Sequence, residues 1–212
     1  MRFFIGLCLL LLAYPVQGQD LRLRGGPGVV TAPRVQTRSY PVGANVGIGG
    51  SLRLLEGVEL GVDAAYGRYG FSEEDFLSFR FGRLPGQDIN ADGGVLRLFS
   101  VDVSVRYLLT AAGTDGRITN PTGLTIYPVL GVSYNYFSTD EIVVTVTSQD
   151  EPVTAQVDQV ESWNPGFHFG AGVRYGATPN IGLFAEGLYR IVATDGARTN
   201  FLPVSVGFIF SR

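Results

Sequence analysis

The hexapeptide Asp88–Gly93 (DINADG) combines residue types and a spacing that are typical of metal binding. Oxygen-bearing side chains at its first, third and fifth positions, followed by a glycine, match the start of a calcium loop. Asp88, Asn90 and Asp92 would then be the ligands, although the twelfth position, normally a bidentate glutamate, is Phe99. Because Asp and Asn beside Gly are equally typical of ordinary turns, a metal-free turn is the alternative. The sequence indicates no other cofactor.

His168 is the single histidine and the side chain best suited to acid–base chemistry. A Ser–His–acid mechanism needs a nucleophile and an acid within hydrogen-bond reach of the histidine. The chain shows no phosphate-binding loop, no HExxH motif and no pattern of paired catalytic carboxylates. The sequence therefore predicts a protein that is not an enzyme and has no catalytic residues.

The segment Ser138–Ser162 contains acidic residues and no basic residue. Its halves, Glu141–Ser148 and Pro152–Val160, alternate in polarity about a turn at 149–152, which predicts a β-hairpin. The edge of such a hairpin could accept a strand from another protein, so 138–162 is the candidate protein-binding loop. The alternative is a solvated acidic loop with nothing bound. The acidic residues are Asp140, Glu141, Asp150, Glu151, Asp158 and Glu161.

These candidates must be positioned by segments in which apolar residues alternate with small or polar ones. Successive side chains of a strand point to opposite faces, so each segment predicts a strand with one apolar face. The pattern is weakest in the first segment, where Gly25-Gly26-Pro27-Gly28 interrupts it. The predicted strands are Leu21–Val30, Pro41–Leu55, Val58–Tyr69, Val95–Leu109, Leu124–Phe137, Trp163–Gly176, Ile181–Val192 and Leu202–Ser211.

The connections between these strands alternate in length. Glu56-Gly57 and Ala177–Asn180 are short, whereas Gly70–Gly94 and Ser138–Ser162 are long and Thr110–Gly123 is intermediate. Amphipathic strands of about ten residues joined in this rhythm are typical of an outer-membrane barrel with short periplasmic turns. We therefore predict an all-β fold, an eight-stranded antiparallel up-and-down transmembrane β-barrel, with both termini in the periplasm.

Aromatic residues on the apolar face agree with a membrane-spanning barrel. Phe99 and Tyr107 are eight residues apart, as are Phe167 and Tyr175, which separates the rings by roughly 20 Å along the membrane normal. That is near the ~25 Å apolar band between two aromatic girdles. A soluble barrel is the alternative, but the other face is mostly Gly, Ser and Asn, too sparsely charged for a water-facing surface. The predicted girdle is Tyr66, Phe99, Tyr107, Tyr134, Phe167, Tyr175, Tyr189, Phe208 and Phe210.

Alternate residues of a strand face opposite sides, and the positions opposite the apolar face carry charged side chains and His168. We call this odd or even placement along a strand its parity, and it puts these side chains inside the barrel. An eight-stranded barrel is only just wide enough to be filled by side chains, so these charges must pair. The first interpretation is a structural salt-bridge plug, and the second is a narrow ion path that opens when pairs exchange partners. The predicted lumen network is Arg22, Arg24, Arg53, Glu59, Asp63, Asp102, Arg106, Arg174, Glu186 and Arg190.

The whole chain after residue 18 resembles the small outer-membrane barrels of Gram-negative bacteria, of the OmpA and OmpX type. The resemblance rests on the alternation, the loop rhythm, the Arg- and Gly-rich start Leu21–Gly26 and the last strand Val204–Phe210. Family members usually finish on an aromatic residue, whereas Ser211-Arg212 follow Phe210 here. Outer-membrane lipid A deacylases carry a Ser two residues after their His, and Gly170 stands there. A lipid A-modifying enzyme is therefore only a third hypothesis.

The composition sets the remaining expectations. Arg2, the apolar run Phe3–Ala13 and Val16-Gln17-Gly18 predict a signal peptide over 1–18, leaving one barrel domain over 19–212. A net charge of −3 argues against nucleic-acid binding. We predict a monomeric, non-enzymatic barrel that contacts outer-membrane lipid and lipopolysaccharide and displays acidic extracellular loops. A small pore through the charged lumen is the alternative.

Overall fold

The computed structural model describes residues 19–80, 88–110, 123–147, 152–194 and 197–211. The predicted signal peptide and the turn residues 149–151 lie outside these ranges. The helices are α1 (Arg34–Ser39) and α2 (Glu73–Arg80). The strands are β1 (Gln19–Ala32), β2 (Val42–Leu55), β3 (Val58–Gly70), β4 (Asp88–Gly93), β5 (Val95–Tyr107), β6 (Leu109–Thr110), β7 (Gly123–Thr139), β8 (Ile142–Thr147), β9 (Pro152–Val157), β10 (Val160–Gly176), β11 (Ile181–Thr194) and β12 (Ala197–Ser211).

Eight long strands form a closed antiparallel barrel in which every strand pairs with its neighbours along the chain. The order is β1-β2-β3-β5-β7-β10-β11-β12, and β12 pairs back onto β1 with Phe208 opposite Leu23. β6 prolongs β5 along β7, with Leu109 opposite Ile126. The predicted eight-stranded up-and-down barrel is confirmed, and each barrel strand overlaps its predicted segment.

The weakly predicted first strand is regular and pairs on both sides. Its glycines permit close approach rather than a break. A Cβ on Gly26 would collide with the backbone oxygen of Val204, and one on Gly28 would lie 2.7 Å from the Tyr69 hydroxyl. Backbone pairing continues past Pro27, which lies opposite Ala44. The interrupted alternation therefore reflects missing side chains, not missing strand.

The outer wall of the barrel is apolar and uncharged along most of its length. By strand alternation, the outward positions of the described barrel strands carry charge only near the end where the long connections emerge. These charges are Arg68, Arg97, Glu161 and Arg198. Elsewhere the wall exposes large apolar side chains such as Val46, Leu130 and Val206, which are 56–60% exposed. We call the end with the long connections the loop end and the other the turn end.

A small second layer lies beyond the loop end. β4, β8 and β9 form a separate antiparallel sheet with β8 in the centre. Phe76 of α2 packs with Ala91, Ile142 and Val144 on one face of this sheet. Ser72 precedes α2 and its first turn is acidic, which suits the positive end of a helix. Among the described residues, neither helix is long or apolar enough to cross a membrane.

The predicted hairpin of segment 138–162 is present as β8 and β9, but it differs from a simple prolongation of barrel strands. β7 ends at Thr139 and β10 begins at Val160, so the hairpin belongs to the separate sheet. A third strand, β4, joins it and contains the Asp88–Gly93 motif that was expected in a turn. The reason is the apolar alternation of Ile89 and Ala91, which α2 covers.

Candidate functional site

The lumen at the turn end contains a small ionic group. Arg174 of β10 donates to Asp20 at 2.9 Å and to Glu59 at 3.1 Å. Arg53 reaches Glu59 at 3.9 Å, and its side chain is 46% exposed at the mouth of the barrel. Asp20 was not among the predicted lumen residues, although its parity matches that of Arg22. Two arginines and two carboxylates therefore neutralise each other at this end.

The middle of the lumen is organised around the carboxylate of Glu186 on β11. Three arginines surround it: Arg22 at 3.5 Å, Arg24 at 3.4 Å and Arg106 at 3.4 Å. Glu186 and Arg106 are each 2% exposed. Removing one partner from such a buried arrangement leaves an uncompensated charge, so each group depends on the others.

Asp102 and Asp63 complete this central group. Asp102 accepts from Arg190 at 2.7 Å and from Arg24 at 3.3 Å, while Asp63 accepts from Arg106 at 2.8 Å. The structure thus brings all ten predicted lumen residues into two networks. Eight of them are deeply buried, the Arg174 side chain is 14% exposed, and Arg53 lies at the rim. Four guanidinium groups face three carboxylates in the described central group, Arg22, Arg24, Arg106 and Arg190 against Asp63, Asp102 and Glu186.

Uncharged lumen groups extend the network and were missed by sequence reasoning. The Tyr127 hydroxyl accepts from Arg22 at 2.8 Å, and Asn135 accepts from Arg190 at 3.0 Å. The guanidinium of Arg22 also lies 4.1 Å from the ring centroid of Phe184, a cation–π distance. Both Tyr127 and Asn135 share the inward parity of β7, which was the available signal.

The loop end of the lumen is filled by apolar side chains, which we call the apolar cap. They are Val30, Tyr40, Tyr69, Leu96, Leu98, Phe137, Val192 and Phe201, each 6% exposed or less. The Phe201 ring contacts those of Tyr69 and Phe137 at centroid distances of 5.6 Å. Sequence reasoning missed the cap, although the pairs Leu98-Phe99 and Tyr136-Phe137 place apolar side chains on both faces of their strands there.

His168 points into the lumen, as its parity predicts, and is 1% exposed. It lies in register with Gly131 on β7 and Arg190 on β11. A Cβ on Gly131 would lie 2.5 Å from its Nε2, so the glycine makes room for the ring. A histidine enclosed by the barrel wall in this way is placed to fill space rather than to meet a substrate in lipid or water.

The calcium-motif residues lie on an extended strand. Asn90 and Asp92 of β4 are exposed and share one face, opposite to the face that carries Ala91. The backbone of Asp88 pairs with Thr147, and its side chain lies outside the described part. Among the described residues, no three His, Cys, Asp or Glu side chains are clustered for a metal ion. Calcium binding stays a prediction.

The β4-β8-β9 sheet is covered on only part of its apolar face. Val153 and Val157 of β9 share a face with Val146 and Ile142, their partners on β8, yet they are 64% and 47% exposed. In the described ranges β9 pairs only with β8, so its other edge is open. The strand from Val153 to Val157 carries no charge. Lysines or bulges normally protect such edges.

Asp140 anchors this layer to the barrel. Its carboxylate accepts two bonds from the Arg97 guanidinium, one of them 3.0 Å long, and one from the Val95 amide at 3.2 Å. The Arg97 bonds are the main cause of a lowered pKa for Asp140. The other described acidic residues of segment 138–162, Glu141, Asp158 and Glu161, are exposed. Only part of that segment is therefore a free acidic surface.

The nine predicted girdle residues lie at outward positions of the barrel strands. Tyr66 and Phe99 are register partners near the loop end, while Tyr107, Tyr175, Phe208 and Phe210 lie near the turn end. Trp163, which stacks on Tyr134 at 5.2 Å and is 45% exposed, belongs with those near the loop end. Tyr189 is half-buried, and its hydroxyl accepts from Asn200 at 2.8 Å.

No family model and no curated protein matches the chain. Three solved structures illustrate its similarities. Neisserial surface protein A (NspA) is 16% identical with a TM-score of 0.51, over 92% of this chain and 97% of that one. A major outer membrane protein of Thermus thermophilus is 14% identical with a TM-score of 0.48, over 92% and 99%. The outer membrane protease OmpT of Escherichia coli is 10% identical with a TM-score of 0.47, over 94% and 98%. At these identities the likeness concerns the fold alone: the chain has the fold of the small outer-membrane β-barrels.

Proposed function

We propose that the protein is a non-enzymatic, monomeric outer-membrane barrel with a closed lumen, whose function is contact at the loop end. In this proposal both termini face the periplasm and the β4-β8-β9 sheet faces the outside of the cell. The immediate partners are lipid and lipopolysaccharide around the wall and a protein at segment 138–162. The observation that carries the contact role is the open, uncharged edge of β9.

The outer wall supports residence in a membrane. Its large apolar side chains form a continuous exposed surface, far more than a soluble monomer normally presents to water. Within the described barrel strands, charged outward residues occur only near the loop end, where Arg68 and Arg97 are register partners on β3 and β5. Arg97 is paired with Asp140, whereas the exposed Arg68 suits the phosphate groups of lipopolysaccharide. Short turns at the opposite end suit the periplasmic side.

The lumen supports a structural role in preference to conduction. The central ionic group fills the middle of the barrel, and the apolar cap fills the loop end, where Leu96 and Phe201 are 0% exposed. Ions would have to cross a dry apolar layer, which is the kind of constriction that closes channels. Single-channel recording of the refolded chain in a planar bilayer tests this, with folding shown by heat-shifted gel mobility. Reproducible conductance steps would favour the pore instead.

The same enclosure argues against catalysis. His168 is 1% exposed inside the wall, so a lipid substrate outside the barrel has no access to its imidazole. The lipid A-modifying hypothesis would need His168 on the surface with a nucleophile beside it. Incubating the protein with lipid A and analysing the lipid by mass spectrometry tests this point, and a change in acyl-chain number would contradict it.

The β9 edge supports contact with an extended segment of another protein. Its backbone groups on the open side are available for main-chain hydrogen bonds, which give affinity in strand addition. Val153 and Val157 flank Ala155 on the uncovered apolar face and would pack against the added strand. Gln156 lies on the opposite face, which makes it a position for a matched control.

The test is adherence of Gram-negative cells that display the protein. We compare wild type with Val153→Lys/Val157→Lys on immobilised fibronectin, laminin and collagen, and in self-aggregation. Lysine on an edge strand opposes strand addition, so the double variant should lose adherence. Gln156→Lys adds charge to the same strand on the other face and should retain it. Equal adherence of both variants, or no adherence of the wild type, would contradict the proposal.

A further inference from the structure

A small cavity lies inside the barrel between the central ionic group and the apolar cap. Its volume is about 20 Å³, about the space that one water molecule or one monatomic ion needs. Arg24 and Arg190 contribute to its wall, together with the polar side chains of Asn45, Ser100 and Ser205. No carboxylate lines it among the described residues. The cavity is therefore cationic on one side and neutral elsewhere.

The two arginines each retain an unused donor. Arg24 uses its terminal nitrogens on Glu186 at 3.4 Å and Asp102 at 3.3 Å, and Arg190 uses its own on Asn135 and Asp102. The Nε atom of each guanidinium is buried without a hydrogen-bond partner. Their side chains are only 5% and 4% exposed. A buried charged donor without a partner is destabilising, so an acceptor at this place would be stabilising.

The charge balance identifies the kind of acceptor. The central group has four guanidinium groups and three carboxylates, one positive charge in excess when all are ionised. The group at the turn end, with two arginines and two carboxylates, offers no compensation. An unbalanced charge in a low-dielectric interior is expensive. A monatomic anion in the cavity would lie beside both guanidinium groups and would neutralise the excess.

We propose that this cavity is a binding site for a single halide ion, chloride in the cell, held by Arg24 and Arg190. The ion is part of the folded lumen and completes the ionic plug. Because halide then binds the folded barrel and not the unfolded chain, its concentration raises stability by mass action. This site is independent of the contact role of the β9 edge.

The direct test is diffraction from crystals of the refolded wild-type protein grown with bromide. Data collected above the bromine absorption edge should show one anomalous peak inside the barrel, between the Arg24 and Arg190 guanidinium groups. Electron density at that place without anomalous signal identifies a water molecule and overturns the proposal. A bromide peak only on the outer surface overturns it as well.

The second test compares variants by thermal unfolding in detergent micelles, with sodium chloride exchanged for sodium gluconate at constant ionic strength. Wild type should have a higher Tm in chloride. Arg190→Gln removes both a donor and the excess charge, so the chloride effect should vanish and bromide affinity should fall by at least about tenfold. Arg174→Gln is the matched control, because Arg174 lies at the turn end, and it should keep the chloride effect.

Arg190→Gln also breaks the bond to Asp102, so a third variant guards against misfolding. Ala65 lines the cavity, and Ala65→Val adds volume without touching any charge. Heat-shifted gel mobility establishes that each variant is folded. Ala65→Val should lose the chloride effect on Tm while keeping the ionic group. A chloride effect of the same size in Ala65→Val and wild type would overturn the site.

Discussion

Glu186→Gln is the most informative single perturbation of the lumen. The substitution keeps the shape of the side chain and removes one negative charge from the centre of the barrel. Arg22, Arg24 and Arg106 lie 3.4–3.5 Å from the Glu186 carboxylate. The amide oxygen can replace only one of the two carboxylate oxygens, and the NH2 group, a donor, then faces the guanidinium on the other side. The central group would then hold four positive and two negative charges.

The expected cost follows from burial. Breaking a buried ion pair by removing one partner destabilises proteins by about 3–5 kcal/mol, and all three arginines here are deeply buried. Hydrogen bonds to charged groups contribute about 1.5–3 kcal/mol each, so three losses would add to more, but coupled contacts are not additive. We therefore expect the free energy of unfolding to fall by about 3–5 kcal/mol.

Glu59→Gln is the matched control for the same chemical change. Glu59 contacts Arg174 at 3.1 Å and the half-exposed Arg53 at 3.9 Å. Arg174 keeps Asp20 at 2.9 Å, so only a partial loss of about 1–2 kcal/mol is expected.

The assay is urea unfolding of the proteins refolded into lipid vesicles, with the folded fraction read from heat-shifted gel mobility and tryptophan fluorescence. Trp163, the single tryptophan, is 45% exposed on the outer wall and reports insertion. If Glu186→Gln costs less than about 1 kcal/mol, or no more than Glu59→Gln, then Glu186 is not the centre of the network and the reasoning fails.

Three further predictions test other parts of the barrel. Gly170→Ala should lower the free energy of unfolding by about 1–3 kcal/mol because its Cβ would collide with the backbone oxygen of Gly187, whereas Gly187→Ala meets nothing within 4 Å and should be neutral or slightly stabilising in the same urea assay. Phe201→Ala removes a ring that is 0% exposed from the apolar cap and should lower the free energy of unfolding by about 3–5 kcal/mol. It should also raise ion leakage in planar bilayers. A recording that stays silent would argue that the cap does not close the lumen. Arg97 lowers the pKa of Asp140, so the stabilisation from this pair is present above the ordinary aspartate pKa and is lost as the pH falls through the lowered value. In Arg97→Gln, NMR titration should show the Asp140 pKa rising toward 3.8. An unchanged Asp140 pKa would refute the pairing.

The strand count and the sidedness of the barrel follow from the sequence because they depend on local alternation. Each strand has one apolar face, so the alternation of residues along that strand places Arg22, Asp63 and Glu186 inside the barrel. No knowledge of the adjacent strands is needed. Segment Leu21–Val30 was the hardest to assign because Gly26 and Gly28 have no side chain to show the alternation.

The alternation of residues along single strands does not predict the apolar cap or the second sheet. Tyr69, Leu98 and Phe201 look like ordinary inward residues in sequence, and only their convergence from three strands forms the apolar cap. β4 was expected to be a turn, since Asp, Asn and Gly favour turns, but pairing with β8 and cover from α2 outweigh this local preference.

The sequence by itself determined that the chain is a closed eight-stranded barrel with an apolar wall and a charged interior, because side-chain alternation is a property of consecutive residues. Only the tertiary structure decided which arginine meets which carboxylate. Arg24 and Glu186 are 162 positions apart, and their contact depends on the register of every intervening strand around the barrel. Long-range geometry of that kind also brings Arg24 and Arg190, whose Nε atoms have no partner among the described residues, to the wall of one small cavity.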